Sequence, residues 1–148
     1  MPKRPESLLR RYDVWEPNTD KFEFQWQSRL LQSIWREKRG LVAGNNRGRV
    51  RGARLKMPEA KTTLANYLNE SIRSVVRSKV DDPAQARGKL FGKPRIYNNL
   101  LSSQPLCFNL FAELSLDLKL ATVFFRKWRM ADGIAVLPNW EGEYFGTS

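Results

Sequence analysis

Two textures alternate along this chain, and the change between them at Gly40 constrains the fold more than any single motif. Before it, Phe22, Trp26, Leu30, Leu31, Ile34 and Trp35 recur at helical spacing behind Asp20, a capping residue type, with Arg36, Lys38 and Arg39 in the last turn. After it, GLVAGNNRGRVRGARLKM sets glycines at 40, 44, 48 and 52 among arginines, and no helical stripe survives. That segment reads as a loop or a frayed strand. Beyond Pro58, Leu64, Ala65, Leu68, Ile72, Val75 and Val76 form a second apolar face, which predicts a helix of about 20 residues. Asp81 and Asp82 before Pro83 can start a short helix that Gly88 and Gly92 end. Ser103, Gln104 and Pro105 look like a cap into LCFNLFAEL, and a further helix spans Asp117 to Trp128. Asp132-Gly133 then turns into a short apolar strand, Ile134 to Leu137.

The expected fold is therefore one domain over 1–148, mostly α with a short C-terminal β element. Its parts are a basic tail (1–19), a helix (20–39), a Gly/Arg-rich loop (40–57), a helical block (58–130) and the start of a sheet (131–148).

Composition removes much chemistry. The chain has no histidine, so no imidazole base, ligand or nucleophile pair is available. Its lone cysteine, Cys107, excludes an internal disulfide or a Cys-built metal site, suits a reducing compartment, and reads as a small core residue. The amino terminus is charged throughout, unlike a signal peptide, and the longest uncharged stretch, Ile96 to Ala112, falls short of a membrane span. A cytoplasmic protein is expected. Trp26, Trp35 and Trp128 lie on apolar stripes and read as core.

YNNLLSSQPLCFNLFAEL, from Tyr97, places amides and hydroxyls among large apolar residues. Each buried polar group left unpaired costs roughly 1–3 kcal/mol, so Ser103, Gln104 and Asn109 are expected to cap helices and bond between them. A site-lining role is the alternative.

The order of AKTTLANYLNESIRSVV, RIYNNLLSSQPLCFNLFAEL and LKLATVFFRKW resembles the amino-terminal region of bacterial PD-(D/E)XK nuclease-like proteins of the restriction endonuclease type, over roughly Leu55 to Trp128. SSQPLCFNLF is the most specific part. The resemblance implies the helical amino-terminal part of an α/β fold in which a mixed sheet is flanked by helices. It also implies an Asp on one strand and a Glu-x-Lys on the next, gathering Mg2+ to cleave DNA. No such cluster is visible: the carboxylates after Trp128 are Asp132, Glu141 and Glu143, and Lys127 is the last lysine. By analogy with that fold, Gln104, Glu113, Glu141 and Glu143 are the candidate catalytic residues. The expectation is a truncated or degenerate member with no metal site or cofactor of its own.

Charge supplies the other functional signal. The chain carries a net +11, and between Arg36 and Lys56 eight basic residues face one acid, Glu37. Arg47, Arg49, Arg51, Arg54 and Lys56 are the candidates for following DNA phosphates on a flexible backbone. The classes in competition are an active nuclease, a non-catalytic DNA-phosphate-binding or partner-binding module, and an incomplete gene product.

Overall fold

In the computed structural model, residues 4–131 are described. The chain partitions into two compact units, Met1–Ala112 and Glu113–Ser148. The first begins with α1 (Glu6–Arg11) and α2 (Glu23–Lys38), followed by β1 (Ala43–Asn46) and β2 (Arg49–Leu55). Short helices come next: α3 (Glu59–Thr63), α4 (Glu70–Val76) running into a π-helical turn (Arg77–Asp81), α5 (Pro83–Ala86) and α6 (Arg95–Asn98). α7 (Ser103–Leu116) crosses the boundary, and α8 (Leu118–Ala131) belongs to the second unit.

The expected basic tail is instead structured. Leu9 of α1 and Val14 are almost fully buried and join Trp26 and Leu30 of α2 in a small core, because apolar residues so near the terminus can still remove area from water. α2 begins later than Asp20: the Gln25 side chain accepts from the Phe22 and Lys21 N–H groups, while Asp20 is buried and ion-paired with Arg29.

The Gly/Arg segment, expected as a loop or a frayed strand, is a pair of strands joined as a hairpin. β1 and β2 pair antiparallel in the described residues' only sheet, and Arg47 (φ 51°) and Gly48 (φ 75°) make the two-residue connection. Positive φ at both positions matches the twist of the flanking strands. Gly52 lets β2 lie against its neighbours: a Cβ there would overlap the Tyr12 carbonyl oxygen and lie 2.6 Å from Ser33 Oγ of α2. Arg36 locks the same corner, donating to the Gly52 carbonyl at 2.9 Å and the Leu41 carbonyl at 2.7 Å.

The helix expected after Pro58 is broken. Leu64 adopts φ 49° and ends α3, and Asn69 restarts the chain as α4 by accepting from Ile72 N–H at 3.0 Å. Leu64, Ile72 and Val76 nonetheless share a second core with Tyr67, Val80, Ile96, Tyr97 and Ala112, while Leu68 is exposed. Asp82 caps α5 through Ala84 N–H at 2.8 Å, and Gly88 (φ 74°) follows in the left-handed region. The hairpin meets the second half of this unit through the Arg54–Asn99 bridge and Leu100 N–H to the Ala53 carbonyl, 3.1 Å.

In the second unit, Asp117 caps α8 by accepting from Leu120 N–H at 2.9 Å, and Phe125 contacts Phe124 edge-on. Trp128 is exposed, not core. Cys107 of α7 is also exposed: it sits one position after Leu106, on the outward side of a helix whose Pro105 and Ala112 face inward. The expected C-terminal strand, Asp132, Glu141 and Glu143 lie outside the described residues.

Candidate nucleic-acid interface

The five basic candidates occupy three different environments on the hairpin. Arg47 in the turn and Arg49 at the start of β2 are exposed, and neither has an acidic partner among the described residues. Lys56 is exposed too, 3.5 Å from Glu59, a pair too solvated to hold it firmly.

Arg51 and Arg54 are different. The Arg51 guanidinium is ion-paired with Glu16, from the segment after α1, and about a quarter of each side chain is exposed. Arg54 is half-buried with no acceptor on its guanidinium among the described residues. Its burial, followed by the like charges of Arg95 and Arg51, pulls its pKa below the ordinary arginine value. Arg29 is shifted the same way, chiefly by burial, and Glu16 opposes the shift.

These groups surround a cavity of about 280 Å3 between the segment after α1, strand β2 and the turn at Asn99. Arg29, Arg51 and Arg54 line it, with Asn46 and Asn99 as amide groups and Val14 and Leu101 as apolar wall. Glu16 and Arg29 are site residues that the sequence reading passed over. Arg51 and Glu16 are 35 positions apart, and only the fold joins them.

Of the catalytic candidates, Gln104 and Glu113 are among the described residues, and Glu141 and Glu143 lie outside them. Gln104 is committed to the loop before α6: its Oε1 accepts from Gly92 N–H at 2.9 Å and its Nε2 donates to the Leu90 carbonyl at 2.7 Å. Asn109 bonds the backbone of residues 66 and 68. Ser103 opens α7 and is exposed, and Glu113 is exposed further along the same helix. A Mg2+ site needs several hard oxygen ligands meeting on one ion. Among the described residues, no group of three Asp, Glu, His or Cys side chains could hold a metal, so they do not fit that ion. No helix among them is long and apolar enough to cross a membrane.

A sequence model of the PD-(D/E)XK nuclease superfamily matches residues 18–137, most of the chain. The protein belongs to that superfamily. No curated protein and no solved structure matches it. The superfamily generally uses a divalent metal, and the described residues show no group that would hold one.

Proposed function

We propose that this chain binds DNA through its phosphates at the hairpin, as a nuclease-superfamily protein that does not cleave by itself. The observation that carries the reading is the pair of exposed, acid-free arginines at 47 and 49, held by a two-residue turn and the first position of a paired strand. Fixed cations cost less ordering entropy on meeting a phosphate than cations on a loose loop. Cleavage would need a metal-activated or metal-oriented water, and the described carboxylates gather no metal. The lone, exposed Cys107 suits a reducing compartment such as the cytoplasm.

The test has two arms. Titrating duplex DNA into the protein at several salt concentrations should give weak, sequence-insensitive binding that falls steeply with salt, and no binding at low salt refutes the reading. Incubation with plasmid and Mg2+ or Mn2+ should leave the DNA intact. Cleavage that disappears in the Glu141→Ala/Glu143→Ala variant would restore the active-nuclease reading.

A further inference from the structure

A second cavity, about 200 Å3, adjoins the first along the same strand. Trp15, Pro17 and Arg49 line it, and Glu16 and Arg51 line both cavities, so their ion pair stands where the two meet. The result is a groove with Arg49 in one depression, Arg54 in the other and Arg51 at the junction. Arg49 and Arg51 are two positions apart on a strand, about 7 Å, and project to one face. Trp15 adds an aromatic wall at one end, with the Arg10 guanidinium 5.4 Å from its ring centroid. Val14, Ala53 and Leu101 supply apolar wall at the other.

We infer that this double cavity takes a single-stranded nucleic acid segment, one nucleotide unit in each depression, with the phosphate between them on Arg51 in place of the Glu16 carboxylate. The inference rests on the phosphate-binding reading above and names its substrate class. A duplex keeps its base faces inside its own stack and can offer the groove only phosphates. A single strand offers base faces as well, which aromatic and apolar walls can stack, while spaced guanidinium groups take the backbone. Glu16 holds Arg51 oriented in the free protein, and its carboxylate oxygens occupy the position a phosphate oxygen would take.

Fluorescence anisotropy decides it, using labelled oligothymidylate, oligouridylate and a blunt duplex of equal length at several salt concentrations. Wild-type protein should bind at least one of the single strands about tenfold more tightly than the duplex, a stacking gain of one base or more. The tighter of the two strands names the sugar. Arg51→Gln removes the contact to the phosphate between the two depressions and should flatten the salt slope for the single strand by about 0.7, and Arg49→Gln should flatten it by a similar amount. Arg49 is exposed, so its variant keeps the test intact if the Arg51 variant fails to fold. Equal or tighter binding of the duplex, or a single-strand slope that neither variant moves, overturns the inference. Duplex binding that stays steeply salt-dependent in that case leaves the phosphate reading standing, and the absence of all binding removes both.

Discussion

Asn109 bridges α7 to Asn66 by its amide: Nδ2 donates to the Asn66 carbonyl at 3.0 Å while Oδ1 accepts from Leu68 N–H at 3.0 Å. The chain has left helical geometry between Leu64 and Asn69, so those two backbone groups have no helical partner and one side chain serves both. Asn109→Leu should therefore lower the unfolding free energy by about 1–2 kcal/mol, the lower part of the range for orphaned groups because Leu68 is exposed. Urea denaturation reads this directly. An unchanged midpoint would mean that water replaces the amide at no cost.

Asp20 and Arg29 form a buried ion pair, with only 2% of the Asp20 side chain and 20% of the Arg29 side chain exposed. Removing one partner of such a pair leaves a charge in a site that water reaches poorly. Asp20→Ala should cost about 2–4 kcal/mol, discounted for the exposed part of Arg29, and Asp20→Ala/Arg29→Met should recover much of it. Thermal unfolding of the three proteins tests this, and equal losses in the single and double variants would show that the aspartate acts by some route other than its charge partner.

How far the sequence could be read depended on how local each determinant is. Trp26, Leu30, Ile72 and Val76 are buried as their spacing implies, because a 3.6-residue period reports a helix face without tertiary information. Leu64 shared that period and yet sits at the break, where Arg73 donates to the Leu64 carbonyl at 3.3 Å and to the Tyr67 carbonyl at 3.1 Å. Contacts of that kind override propensity and leave no local signature. The hairpin escaped because its turn puts Arg47 at positive φ, a conformation few non-glycine residues adopt. The arginine cluster was legible by composition. Its division into free Arg47 and Arg49 and Glu16-bound Arg51 was not, since Glu16 lies on the far side of α2 in the sequence.

Gly52 is the tightest point of the hairpin's packing. Its N–H donates to the Asp13 carbonyl at 3.1 Å, and an added Cβ would overlap the Tyr12 carbonyl oxygen, which is backbone and cannot swing aside. Gly52→Ala must push β2 away from the segment after α1, at a cost of about 1–3 kcal/mol or more. The same displacement opens the Arg51–Glu16 pair, so loss of stability should come with faster amide exchange in residues 13–16. Retained protection there would place the strain elsewhere.

Tyr67 and Tyr97 tie stability to alkaline pH. Tyr97 donates to Asp81 Oδ1 at 2.5 Å and Tyr67 to the Ile96 carbonyl at 2.8 Å. Burial, with the Asp81 carboxylate added, raises both pKa values above the ordinary 10.0. The folded state therefore keeps protons that the unfolded state releases above pH 10, and stability falls as pH rises beyond that point. Below it, this contribution is fully present and flat. Tyr97→Phe should lose stability at pH 8 through the missing hydrogen bond yet decline less steeply than wild type above pH 10. Parallel stability profiles for the two proteins would exclude this linkage.

Arg47 and Arg49 decide whether the hairpin follows phosphates. Each phosphate neutralised on duplex DNA contributes about −0.9 to the slope of log affinity against log salt. Arg47→Gln/Arg49→Gln should flatten that slope by up to about 1.8 if both arginines touch the backbone. Adding Arg51→Gln should change it little further, because Glu16 already neutralises Arg51 and a duplex gives it no base stacking in exchange. Both side chains are exposed and hold nothing in the core, so the unfolding midpoint should stay where it is. A flattened slope with an intact fold assigns the contact to these two residues, whereas a slope unchanged by the double variant would return them to solvent.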